Sequence, residues 1–180
     1  MDVQALYQQK KTTADEAVKC VRSGDWIDYG FGVNQPVALD EAIAKRLPQL
    51  EDVNFRGAVL LHRPAIFDIP DPTAHMTWNS WYMTGVDRKA INEGFAYYSP
   101  LRSELPKYYY EMECKPDVAM FQVTPMDEHG YFNFGPSLSH MRAVCDTAKT
   151  IILEVNENMP RCFGNTKEVI HISEVDMVVE

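Results

Sequence analysis

Apolar residues recur along this chain in two rhythms: near-continuous runs of about five residues, and stripes spaced three or four apart. Trp26–Tyr29, Val53–His62, Val118–Val123 and Ile151–Val155 are runs of the first kind and predict strands. The last two are apolar almost throughout, as parallel strands covered on both faces are. Stripes of the second kind follow them. Val37, Leu39, Ala42, Ile43 and Leu47 predict a helix with Pro36 at its first position and Pro48 marking its end. Leu138, Met141, Val144, Cys145 and Ala148 predict another, with Ser137 as its cap. Thr13–Glu16 has capping-box spacing ahead of Ala17, Val18 and Val21. Glu104–Glu113 reads as a short helix and Ile91–Tyr98 as a further strand, whereas residues 63–90 read as a long aromatic loop. Strands alternating with helices imply βαβ units in a layered α/β sheet. The final run, Val175–Glu180, is strand-like with no polar tail, which suggests a chain that stops inside a larger fold.

Composition narrows this picture without changing it. The 180 residues are 46% hydrophobic and 24% charged, ordinary for one globular domain spanning 1–180. A formal net charge of −9 argues against nucleic-acid binding, which needs clustered Lys and Arg, but leaves room for a small anionic metabolite. No apolar run approaches the roughly 20 residues of a membrane span, and the first residues lack the order of a signal peptide, so a cytoplasmic protein is expected. Cys20, Cys114, Cys145 and Cys162 are far apart and read as reduced thiols, not as a disulfide framework.

Several segments carry candidate chemistry, each beside a plainer alternative. Gly30-x-Gly32 between a strand and a helix suggests a dinucleotide turn, but Gln35 stands where the third glycine belongs. What remains is a turn offering backbone amides at a helix N-terminus, or merely a tight connection. Gly135-Pro-Ser137-Leu-Ser139 misses the nucleophile elbow by its second glycine. Glu154, near the end of a buried strand, is either a nucleophile or an acceptor for loop amides. The five histidines show no ligand spacing, so no metal is expected, and His129 sits in an Asp/Gly turn. Trp78, Trp81 and Tyr82 either line an acyl chain or cover the sheet edge.

Four segments in order carry a resemblance: Ser23–Pro36 (SGDWIDYGFGVNQP), Trp78–Trp81 (WNSW), Asp117–Ser137 (DVAMFQVTPMDEHGYFNFGPS) and Ala148–Arg161 (AKTIILEVNENMPR). Together they resemble the N-terminal half of the acetyl-CoA hydrolase/transferase family, particularly its butyryl-CoA:acetate and 4-hydroxybutyrate CoA-transferases. The resemblance implies a three-layer αβα fold with a mostly parallel sheet, one of two similar halves with the active site between them. It also implies a glutamate that attacks an acyl-CoA, passes through a mixed anhydride to a glutamyl-CoA thioester, and yields CoA to an incoming carboxylate. That glutamate belongs to the second half, and no Glu here lies in a matching motif, so no catalytic residue is assigned.

The first half is expected to supply one wall of the acyl pocket. Gly30, Gly32, Asn34, Gln35 and Pro36 are the leading substrate-binding candidates, with Asn79, Ser80, Asn133 and Gly135 behind them. Coenzyme A enters as a substrate, and no bound cofactor is expected. The expected partners are an acyl-CoA, a short carboxylate, the C-terminal half and further copies of the protein, with neither nucleic acid nor membrane. Two other readings stand beside this one: a self-sufficient thioester hydrolase using Ser137 or Glu154, and a non-enzymatic interaction domain on the same fold.

Overall fold

The computed structural model describes residues 2–102, 104–164 and 167–180. Seven parallel strands form its centre in the order β4-β3-β2-β1-β5-β7-β9. They are β1 (Trp26–Phe31), β2 (Val53–Ala58), β3 (Met76–Ser80), β4 (Ala96–Tyr98), β5 (Val118–Val123), β7 (Thr150–Val155) and β9 (Met177–Val179). Strands β6 (Tyr131–Asn133) and β8 (Val169–His171) pair antiparallel as a separate ribbon. The helices are α1 (Val3–Lys10), α2 (Ala14–Ala17), α3 (Ala38–Arg46), α4 (Pro72–His75), α5 (Gly85–Glu93), α6 (Pro106–Met112) and α7 (Met141–Thr147).

Strand side chains alternate between two cores, one on each face. Ile27, Tyr29, Phe55, Trp78, Met120 and Ile152 pack with α2, α3 and α5 through Ala17, Leu39, Ile43 and Ala90. Phe121, Val123, Ile151 and Leu153 point the other way, onto Tyr7 of α1, Tyr110 of α6, Met141 and Val144 of α7, and Phe132 and Ile170 of the ribbon. Helices on both faces of a parallel sheet make the expected αβα layers.

The long aromatic segment departs from expectation. Residues 63–90 contain β3, α4 and the first part of α5, and Ile91 continues that helix, so only Ala96–Tyr98 of the predicted strand pairs. Thr84 caps α5 through Val86 N, and Asp87 returns the bond to Thr84 N. The other oxygen of Asp87 accepts from the buried indole of Trp78 at 3.0 Å. Strand β2 ends at Ala58, short of the predicted His62, because Val59 turns to φ +58°. Helix α7 begins at Met141 with no side-chain cap, so Ser137 does not play that part. Pro36 likewise precedes α3, whose N-cap is Val37.

Candidate functional site

In open α/β sheets, ligands gather outside the carboxyl ends of the strands where the winding reverses. Here the chain runs from β1 outward through β2, β3 and β4, then crosses back to lay β5 on the other side of β1. The reversal therefore lies between β1 and β5. Gly30–Pro36 is the segment that leaves β1 at that point.

Several polar groups tether this loop, while Asn34 Oδ1 is buried with no hydrogen-bond partner among the described residues. Gly30 and Gly32 adopt φ of +71° and +56°, and a Cβ on Gly32 would come within 2.7 Å of Ser137 Oγ. Ser137 Oγ accepts from Val33 N at 3.1 Å. Asn34, fully buried, donates both amide hydrogens, to the carbonyls of Gln122 and Phe134, each at 2.9 Å. That single side chain ties the loop to β5 and to the ribbon. Gln35 clasps the segment after β2, donating to His62 O and accepting from Leu61 N.

Glu154 is the anchor beneath. Its carboxylate accepts from Val37 N and Leu39 N at the start of α3, both about 3 Å away, and from Gln122 Nε2 at 3.0 Å. Asn156 completes the chain by donating to Gln122 Oε1 at 2.7 Å. The reading of Glu154 as an acceptor for loop amides thus matches the geometry. Asn133 works in the same manner, its oxygen accepting from Gly135 N and Cys162 N. Asn34, Gln35, Asn133 and Gly135 are therefore gathered at one reversal point, with the amide side chains of the first three bonded to backbone. Asn79 and Ser80 lie apart, on β3, where Asn79 bonds Phe55 O and Ser80 bonds Tyr82 O. Trp78 and Trp81 are core residues at 0% and 3% exposure, so of that cluster Tyr82 alone is well exposed, at 39%.

The surface at this rim is apolar. Phe31, between the two glycines, meets Tyr82 edge-on at 6.3 Å and His140 at 5.6 Å. Leu61 is 59% exposed just beyond Val59. A β-branched residue at positive φ is costly, of order 1–3 kcal/mol, and persists where its surroundings over-determine it. Val59 N reaches Tyr82 O at 3.4 Å, so the strained turn sits against the tyrosine segment. Sequence reasoning missed Phe31, Val59, Leu61 and Gln122. The available signals were the aromatic between two glycines and a lone amide inside the apolar run VAMFQV.

No nucleophile is set up for attack among these groups. Ser137 Oγ accepts from Val33 N and bonds no base among the described residues, and His140 Nδ1 contacts Ser139 Oγ at 3.2 Å instead. Burial pushes His140 down to about 4, which keeps the ring neutral. Among the described residues, no group of three His, Cys, Asp or Glu is placed to hold a metal ion. Among the same residues, no helix is long and apolar enough to cross a membrane.

Residues 1–180 match the Acetyl-CoA hydrolase/transferase N-terminal domain. The chain is 56% identical to the butyryl-CoA:acetate CoA-transferase of Anaerostipes caccae, over 100% of its own length and 41% of that protein's. It is 31% identical to the 4-hydroxybutyrate coenzyme A transferase of Clostridium kluyveri, covering 42% of it. The crystal structure of RipA from Yersinia pestis superposes with a TM-score of 0.90 at 31% identity, over 99% of this chain and 44% of that one. The chain thus spans about two fifths of the relatives it matches, and by sequence and by fold it belongs to the acetyl-CoA hydrolase/transferase family.

Proposed function

We propose that this chain is the N-terminal part of a CoA-transferase that moves CoA between a butyryl- or 4-hydroxybutyryl-type acyl-CoA and a short acid such as acetate. The observation that carries this reading is the built loop Gly30–Pro36 at the sheet's reversal point, beside an apolar rim and with no free nucleophile of its own. Phe31, Leu61 and Tyr82 suit a short aliphatic acyl group, and the glycine turn suits close approach of a thioester to backbone.

A second half would bring the attacking glutamate. Its carboxylate displaces CoA thiolate to give a mixed anhydride, and the thiolate then attacks the glutamyl carbonyl, releasing the original acid. The incoming acid reverses the two steps. One thioester is exchanged for another, so the barrier is lowered by division into steps and not by an outside energy source. Coenzyme A is a substrate in this scheme. A cytoplasmic location is part of the same proposal, supported by four cysteines that are free in the fold.

The test compares the 180-residue chain with the longer natural protein, using acetyl-CoA and butyrate and following butyryl-CoA. Transfer is expected from the longer protein and none from the short chain. Transfer or thioester hydrolysis by the short chain, lost in Ser137→Ala or Glu154→Gln, would favour the self-sufficient hydrolase and end this reading.

A further inference from the structure

A buried ion pair lies just below the glycine turn, on the face opposite Glu154. Asp28 of β1 and Arg56 of β2 are paired in register, at 0% and 1% exposure. Arg56 Nε donates to Asp28 Oδ2 at 3.1 Å, and the Tyr110 hydroxyl donates to the same oxygen at 2.5 Å. Burial, and then the nearby Asp28 charge, holds the Tyr110 phenol well above its ordinary range, so it stays a donor. The rings of Trp26, Trp81, Tyr109 and Tyr110 surround the guanidinium at 4.4–5.7 Å.

As packing, this arrangement is a poor bargain. Two desolvated charges seldom outperform an apolar pair of the same volume, and Arg56 Nη1 has no hydrogen-bond partner among the described residues. What the pair does that an apolar pair cannot is seen at Asp28 Oδ1, which accepts from Gly30 N at 2.8 Å. That bond draws the Gly30 amide out of the ladder. The β1–β2 register accordingly slips between Asp28 and Phe31, where Gly30 takes its positive φ. Irregularities of this kind re-aim the residues that follow them. The residues that follow are Phe31 and Gly32, at the rim proposed to meet the acyl group.

We infer that Asp28, oriented by Arg56 and Tyr110, is a positioning residue for the Gly30–Gly32 turn in the transfer reaction, an inference that rests on the CoA-transferase reading. Both oxygens of Asp28 accept, and an amide cannot reproduce this, because one of its ends would face a donor with a donor. Asp28→Asn in the full-length protein is therefore expected to lower kcat roughly tenfold or more with KM within about twofold, the pattern of a contact used in the transition state. Tyr110→Phe removes a single hydroxyl and is expected to shift kcat the same way by about two- to fourfold, serving where Asp28→Asn fails to fold. Gly57→Ala is the control. It crowds Trp78 on the other face and should lower the melting temperature while leaving kcat unchanged.

Hydrogen exchange of the peptide spanning 29–37 gives a readout independent of activity. It should quicken in Asp28→Asn and Tyr110→Phe but not in Gly57→Ala. Exchange unchanged in both variants overturns the positioning role whatever the activity, as does quickened exchange with kcat intact. Quickened exchange in a protein whose wild type transfers no CoA would retire the transferase reading and leave the turn's dependence on Asp28 standing.

Discussion

His140 and Asp40 are buried groups whose protonation opposes each other. His140, against Phe31, Trp81 and Tyr110, is pushed by burial from an ordinary 6.5 down to about 4. The unfolded chain therefore binds more protons between pH 4 and 6.5, and this group's contribution to stability grows as pH rises through that window. Asp40 accepts from Tyr29 Oη, Ala65 N and Ile66 N, yet burial outweighs these bonds and raises it to about 6. Its contribution is complete below pH 4 and is lost as pH rises toward 6. Each is worth on the order of 3 kcal/mol at full extent, so the two largely offset between pH 4 and 6. Urea titrations at pH 4.5 and 7 should separate them. His140→Phe should weaken the loss of stability on acidification, and Asp40→Asn should deepen it; unchanged slopes in both would contradict the assignment. Glycine substitutions act sterically. Gly57→Ala would place a methyl 2.7 Å from the Trp78 ring, an overpacking of about 1–3 kcal/mol readable in a thermal melt.

Among the elements, α5 shows how a cap can reach into the core. Thr84→Ala removes one acceptor for Val86 N and should cost about 1 kcal/mol. Asp87→Ala should cost more, about 2–3 kcal/mol, because Trp78 Nε1 would be left buried without its acceptor. Equal losses in denaturant midpoints would show that the indole bond adds nothing. This helix was illegible in the sequence, as were α1, β3 and β8. GVDRKAINE carries few apolar residues and MTWNS is too short and too mixed for a strand rhythm; pairing to β2 decided the strand, and the Thr84–Asp87 cap with burial of Ala90 decided the helix. The fully buried strands β5 and β7 and the stripes of α3 and α7 were legible because burial on both faces, or on one helical face, leaves little choice of residue. The glycine loop was legible as a turn. Its tethering to Gln122 and Phe134 was not, since those partners lie 88 and 100 positions away and only the sheet order brings them close.

For the whole molecule, the exposed side matters as much as the core. Tyr97 and Tyr98, more than half exposed, stand on β4 at the edge of the sheet, and Tyr108, Met112 and Phe163 add further apolar surface. An edge strand bearing two aromatics invites pairing with another chain. The 180-residue chain in isolation should therefore scatter light as a species larger than 20.6 kDa, and Tyr97→Lys with Tyr98→Lys should shift it toward the monomer. A monodisperse monomer before substitution would show that the edge is innocuous. The carboxylate of Glu154 has a broader consequence for how a charged ligand lies across the rim. The amino end of α3 would ordinarily welcome a phosphate, but a negative group already occupies that seat. On the proposed reading, the anionic nucleotide portion of a CoA ester would find its welcome elsewhere, and its neutral acyl end would rest on this loop.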